Sequence, residues 1–460
     1  MINFVKLNNL VFISACLLGA VLFLSPIYSS LSFSVGVTLA VTLITISLWS
    51  TGVVAPALGA VIFFFAATIF SLGPPSIIFS GFQAPATWLV FGGLVISLCL
   101  KNTKLDITIV GYLLRFTSFK YFPICYGIFL ASFFISFFVP SASARVALLV
   151  PIIIMFGEKI GFKPKSLGNN GLVLSATMGT MTPAFGVLPS NVPNVALLGA
   201  SESIKNITFS YGEYFLLNFP VLGIGALIFY PMVIGFIFAQ EPEKQFTEIS
   251  KDKMEAKQKR LLFILILALL FWTTDGYHQI SPAWVALGAS VLCLLPKVGV
   301  LSGKALANLD FSQVIFVAGI IGLGGIASYS GAGAYIAEII IRIMPMDKVG
   351  NFATFYLVVC LSWVIGVLTT LPAQPSILVP IASDISVACG WSIKSVLMTP
   401  VISWSIFPFF YQAPPLVLAV ALGQLRVARV TRMLFYYMII GLLVLLPLHY
   451  LWGTSLGYFL

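Results

Sequence analysis

The chain of 460 residues is 60% hydrophobic and 8% charged, with a formal net charge of +10, whereas a soluble domain carries about 25% charged residues. So few charges leave a core of this size uncovered in water, and the solvent that fits is lipid. A soluble enzyme is thereby excluded, and the basic excess comes with no nucleic-acid-binding motif.

A helix crosses the hydrocarbon layer with about 20 apolar residues. Runs of that kind lie near 10–27, 33–50, 53–72 and 84–101. The first has a weak positive flank at Lys6 and no small-residue cleavage site after Pro26. Residues 1–30 therefore read as an extra, uncleaved helix rather than a signal peptide. The stretch 121–156 is apolar but interrupted by Pro and Ser, and runs at 170–200 and 213–239 follow it. A hydrophilic linker over 240–260 then divides 31–239 from 261–460. Beyond it, 261–273, 281–297 and 312–330 are apolar, 351–388 is a second interrupted stretch, and 395–424 and 433–456 complete the order. The reading is an all-α polytopic membrane protein with about 11 transmembrane helices and two re-entrant hairpins. No run shows the alternation of a membrane barrel. The six cysteines stand singly with no C-x-x-C pair, as packing residues rather than metal ligands.

Orientation follows from charge. With a cytoplasmic N-terminus, and each interrupted stretch returning to the side it came from, 19 of the 24 Lys and Arg face the cytoplasm. Lys205, Arg342, Lys348 and Lys394 then lie outside, and Arg145 lies within an interrupted stretch. The densest cytoplasmic group is the linker's Lys244, Lys251, Lys253, Lys257, Lys259 and Arg260. This bias is the positive-inside rule. The compact length and the lack of a transit peptide point to the inner membrane of a bacterium.

The two parts repeat one another. A shift of 229 residues sets Ser141 over Thr370 and matches Ala144, Leu149, Val150, Pro151 and Ile152 with Ala373, Leu378, Val379, Pro380 and Ile381. The same shift pairs Gly161 with Gly390, Lys165 with Lys394 and Ser166 with Ser395. Each half holds five crossings, an odd number, so the halves are inverted. Inverted repeats with matched interrupted segments mark secondary transporters, and the interruptions mark the site.

A re-entrant hairpin leaves free carbonyls on its first arm and free N–H groups on its second, suited to a cation and an anion respectively. The first tip reads Pro140-Ser141-Ala142-Ser143-Ala144-Arg145. Its serines serve as helix caps, as ligands or as both. Arg145 is an intramembrane charge, which is costly and usually functional, although pairing with backbone carbonyls also accounts for it. The second tip, Thr369 to Pro375, offers Thr370 and Gln374, with Pro372 and Pro375 breaking the helix. Two later runs are interrupted as well. The first holds Gly186, Pro189, Ser190, Asn191, Pro193 and Asn194, and the second holds Gln412, Ala413, Pro414 and Pro415. Unwound helices lining a site explain both, and their carbonyls suit Na⁺.

With these residues the chain resembles the divalent anion–sodium symporter family, whose members carry sodium with dicarboxylates, citrate or sulfate, within the wider ion-transporter superfamily. That family places a Ser-Asn-Thr triplet at each tip, ten residues before a proline. Ser141-Ala142-Ser143 precedes Pro151 at that distance, and Thr370-Leu371-Pro372 precedes Pro380. Both asparagines are replaced, by Ala142 and Leu371, and Leu416 stands where the family's unwound element has a third. The resemblance implies an elevator mechanism, a homodimer and sodium coupling. Substrate contacts are expected at Ser141, Ser143, Arg145, Asn191, Asn194, Thr370, Gln374 and Pro415. Sodium contacts are expected at Ser141, Ala142, Gly186, Ser190, Thr370, Ala373 and Ala413, with a single site in the first half as the working hypothesis.

Three rivals stand beside symport of a small anion. An uncoupled exchanger fits the eroded sodium ligands. Proton coupling needs a carboxylate or histidine at mid-membrane, whereas His278, His449, Asp106, Asp310 and Asp384 map towards segment ends. A channel needs no half-chain repeat. No catalytic motif such as H-E-x-x-H, G-x-S-x-G or a P-loop occurs.

Overall fold

A computed structural model describes residues 2–24, 31–105, 108, 120–137, 141–243, 254–344 and 346–460, and these form helices and turns with no strand among them. Pro140, Asp106, residues 25–30, and Lys244, Lys251 and Lys253 of the linker lie outside the described residues.

The first half begins with α1 (Ile2–Phe23), which packs along α2 (Phe33–Thr51). Ser32 caps α2 by accepting from the Val35 N–H at 3.3 Å, and Gly52 ends it in the left-handed conformation, φ 64°. Prolines open α3 (Pro56–Ile69) and α4 (Pro85–Thr103), where a missing N–H costs nothing. The first hairpin is α5 (Tyr121–Ser136) and α6 (Ala142–Lys159). The first interrupted helix is α7 (Leu167–Met181) and α8 (Val192–Lys205), followed by α9 (Tyr211–Ile237).

The second half repeats that order. It comprises α10 (Ala256–Thr273), α11 (Pro282–Leu294), α12 (Ser312–Tyr329) and a surface helix α13 (Ala332–Ile343). The second hairpin is α14 (Asn351–Leu368) and α15 (Pro375–Cys389). The second interrupted helix is α16 (Ile393–Ser405) and α17 (Pro414–Leu422), and α18 (Val427–Ser455) closes the fold. Both α9 and α18 contain a π-helical turn, at Phe219–Gly223 and Gly441–Leu445. Pro220 within the first and Pro447 just after the second withhold a ladder donor there, the condition under which such turns form.

Among the described residues, six helices are long and apolar enough to cross a membrane: α2, α4, α9, α12, α14 and α18. The sequence pattern predicts more crossings, and the shortfall has identifiable causes. Helix α3, at 14 residues, is about 21 Å long, short of a ~30 Å hydrocarbon core. Helix α11 has 13 residues, and α10 carries three basic residues in its first turns. The two interrupted runs are divided between shorter helices. In the stretch 351–388, the first arm α14 has 18 residues and is long enough for a full crossing. A hairpin with arms that long fits the layer by tilting or by standing its base in the interface.

Packing sorts the helices into two bodies. In the first, α3 lies on α12 and α2, and α4 on α11, with a core that includes Trp49, Phe63, Phe316 and Ile320. In the second, α5 and α6 lie on α7, and α14 lies on α16, within the largest core. The halves exchange arms inside this second body, because α6 packs on α17 and α15 packs on α8. Helix α12 bridges the two bodies through α8 and α15.

Candidate substrate cavity

The start of α6 carries most of the polar chemistry. Ser141 is its N-cap in extended conformation, and its Oγ accepts from the Ala144 N–H at 3.2 Å and from Gln313 Nε2 at 2.8 Å. One turn on, Arg145 is 1% exposed. Its Nε donates to Thr180 Oγ1 at 2.6 Å and its Nη1 to the Ser190 carbonyl at 2.8 Å. Its Nη2 donates to the Thr180 carbonyl at 2.6 Å and to Asn191 Oδ1 at 3.1 Å. These acceptors flank both ends of the break between α7 and α8, so the guanidinium holds the break's two sides together.

The break is two 3₁₀ turns, Pro183–Gly186 and Leu188–Ser190, and its orphan carbonyls are met by side chains. Asn191 Nδ2 donates to the Met181 carbonyl at 3.0 Å. Asn194 Nδ2 spans the Ala184, Phe185 and Val187 carbonyls at 3.3, 3.2 and 2.9 Å. Tyr214 adds a bond to the Phe185 carbonyl at 2.9 Å. Two oxygens are left buried without a hydrogen-bond partner, Ser190 Oγ and Asn194 Oδ1.

The second half is built differently. Its tip is a 3₁₀ turn, Leu371–Ala373, after which Gln374 Oε1 accepts from Ser403 Oγ and Trp404 Nε1, each at 2.8 Å. The Trp404 donor fixes which way the amide faces, and leaves Gln374 Nε2 buried without a partner. Thus the first break leaves two oxygens unpaired, and the second hairpin tip leaves an N–H donor.

Between the tips lies a cavity of about 190 Å³. Ala142 and Ser143 of the first tip and Leu371 and Pro372 of the second face it. The interrupted helices add Asn191, Val192 and Pro193 on one side and Ala413, Pro414 and Pro415 on the other, with Met181 and Phe185 behind. The remaining wall comes from the other body: Ala55, Pro56 and Ala57 at the start of α3, and Ser312, Gln313 and Phe316 at the start of α12. Five helices, α3, α6, α8, α12 and α17, therefore turn their first residues towards one space. Their dipoles bring positive ends together there. None of the lining side chains among the described residues is ionisable.

Of the residues singled out from sequence, Ser143, Asn191, Pro415, Ala142 and Ala413 stand on the wall. Ser141 is joined to it through Gln313. Arg145, Asn194, Ser190, Gly186, Thr370, Ala373 and Gln374 are buried behind it. The wall residues of α3 and α12 escape a reading by motif. Their one signal is the polar pair Ser312-Gln313 opening an apolar run. His449 is also deeper than its sequence position suggests: it is fully buried in α18 beside Phe355 and Phe459, and neither ring nitrogen has a hydrogen-bond partner. No group of three or more His, Cys, Asp or Glu gathers as a metal site among the described residues.

Comparison with known proteins agrees with this architecture. The family described as sodium:sulfate symporter transmembrane region matches residues 5–459. A membrane protein of Cupriavidus necator is 25% identical over 285 residues, 60% of this chain and 56% of its own length. Inner membrane protein YbhI of Escherichia coli is 25% identical over 300 residues, 63% of this chain and 62% of its own. The L-tartrate/succinate antiporter of Escherichia coli is 25% identical over 297 residues, 60% of either chain. The chain thus covers less than two thirds of these relatives. Among solved structures, the YdaH transporter of Alcanivorax borkumensis superposes with a TM-score of 0.51 at 15% identity, over 84% of this chain and 88% of that one. MtrF of Neisseria gonorrhoeae gives 0.50 at 11% identity, over 92% and 95%. At such identities the likeness is one of fold.

Proposed function

The chain belongs to the sodium:sulfate symporter family, a family of membrane transporters, and from that premise we propose that it is a secondary transporter that moves a small anion by sodium-coupled symport. The observation that carries the reading is the convergence of five helix N-termini on one cavity whose wall has no ionisable side chain. Positive dipole ends in a low-dielectric space favour an anion, and a wall without carboxylates offers a free cation nothing to pair with. Arg145, buried behind Asn191 and bonded to it, adds a fixed positive charge one layer back.

The coupling ion belongs in the first half. Sodium takes oxygen ligands, and Ser190 Oγ and Asn194 Oδ1 are buried oxygens without partners in the break that also carries Gly186. The second half's hairpin tip instead offers the unpaired amide N–H of Gln374, which repels a cation. The seven sodium contacts expected from sequence thereby narrow to the first-half group of Ser141, Ala142, Gly186 and Ser190, and Thr370, Ala373 and Ala413 are set aside.

In this mechanism the body of α5–α9 and α14–α18 slides against α1–α4 and α10–α13, carrying the cavity's inner wall across the membrane. The Gln313–Ser141 bond joins the two bodies in the state described here. The static body, α1–α4 with α10–α13, would be the homodimer scaffold, and the N-terminus would face the cytoplasm of a bacterial inner membrane.

A second reading, exchange of one anion for another without sodium, is favoured by the antiporter among the relatives. Uptake of labelled succinate and sulfate into proteoliposomes separates the two. Symport predicts accumulation that follows an inward sodium gradient with no anion inside. Uptake that ignores sodium but needs internal anion replaces symport with exchange.

A further inference from the structure

Polarity is spread unevenly around the cavity. Its polar side chains, Ser143, Asn191, Ser312 and Gln313, gather about the start of α6, since Gln313 donates to Ser141 and Asn191 accepts from Arg145. The opposite face, from the second half, presents Leu371, Pro372, Ala413, Pro414 and Pro415, with no polar side chain. Backbone donors divide in the same way. The first turn of α6 offers the N–H groups of Ala142 and Ser143, whereas α17 opens with two prolines and offers none at those positions.

We propose that the transported anion is amphipathic, with a single carboxylate or sulfonate head against the first-half face and an apolar body against the second-half face. This inference rests on the anion-transport reading above and narrows it. A second charge at the far end of the substrate would stand against Leu371 and the prolines, where no polar side chain and no N–H from the first two positions of α17 replaces its lost hydration. An apolar body gains there instead, about fourfold in affinity for each methylene buried. Ala142 and Leu371, the middle residues of the two tip triplets, are both apolar, and both are on the cavity wall.

The test is calorimetric titration of the purified full chain, in detergent with sodium present, using propionate, butyrate and hexanoate beside succinate, adipate and sulfate. Hexanoate and adipate match in length and differ by the terminal charge. The expected result is a dissociation constant that falls about fourfold per methylene from propionate to hexanoate, with adipate at least tenfold weaker than hexanoate. Leu371→Asn should close that gap by at least threefold. Adipate or succinate binding more tightly than hexanoate overturns the amphipathic substrate and leaves the anion transporter standing. Absence of binding by all six anions removes both. A hexanoate preference untouched in a folded Leu371→Asn variant removes Leu371 from the selectivity wall and overturns the proposed division of faces.

Discussion

Ser190 and Asn194 show how one residue carries two kinds of information. Their roles in the break are visible in the backbone: the Ser190 carbonyl accepts from Arg145, and the Asn194 amide spans three carbonyls. The other oxygen of each has no partner, and an unsatisfied buried oxygen costs about 1–3 kcal/mol. Ser190→Ala removes such an oxygen and keeps every backbone bond. Without sodium the variant should melt at the wild-type temperature or slightly above it. Its half-saturating sodium concentration for anion uptake should rise roughly tenfold, equivalent to about 1.4 kcal/mol of lost ion binding. An unchanged sodium response would take Ser190 out of the ion site. Both residues are legible in the sequence because prolines and asparagines clustered in an apolar run interrupt the helix that the run would otherwise form. Gln313 is not legible in that way, since its partner Ser141 lies 172 positions away. A contact of that separation leaves no local pattern.

At the scale of elements, the first interrupted helix depends on a brace from the neighbouring hairpin. Arg145 is an intramembrane charge in the sequence, and such a charge reads equally as substrate ligand or as carbonyl brace. In the fold its three nitrogens meet acceptors on Thr180, Ser190 and Asn191, at both ends of the break. Arg145→Ala should therefore cost stability first, by about 1–3 kcal/mol for each buried acceptor left unsatisfied. Arg145→Lys should recover only part of it, because one ammonium cannot reproduce a fork that spans four acceptors. Chemical denaturation of the purified variants would check this. A stable Arg145→Ala protein with lost anion binding would instead place the guanidinium at the substrate. Element existence was legible wherever apolar runs were long and capped, as with Ser32 before α2 or the proline starts of α3 and α4. Arm lengths were less so. Apolar composition runs unbroken through α14, so nothing in the sequence distinguishes a half-crossing from a full one. Helix α13 was missed for a related reason: its 12 residues, which include Glu338 and Arg342, are too few and too polar to read as a crossing, and it lies at the surface with only Ala332, Gly333 and Ala337 buried.

For the whole molecule, the proposed sliding of two bodies raises a question of rigidity. If α13 belongs to the static body and α15 to the moving one, their contact must break during each cycle. That contact is close: a Cβ built at Gly333 would stand 3.0 Å from the Pro380 Cβ, a little inside the 3.5–4.5 Å usual across a disulfide. A small shift of α13 would admit the bond. Six native cysteines, with Cys360 exposed, must first be removed so that the engineered pair reacts alone. In that background, Gly333→Cys combined with Pro380→Cys should transport anion while reduced. Oxidation should stop transport, and a thiol reductant should restore it. The site itself lies elsewhere, on the starts of α3, α6, α8, α12 and α17, so arrest by this bond would report motion between the bodies rather than blockage of the cavity. Full transport by the oxidised protein would mean that α13 and α15 travel together. The boundary between the bodies would then have to be drawn on the other side of α13, leaving α12 and its Gln313 contact to mark where sliding occurs.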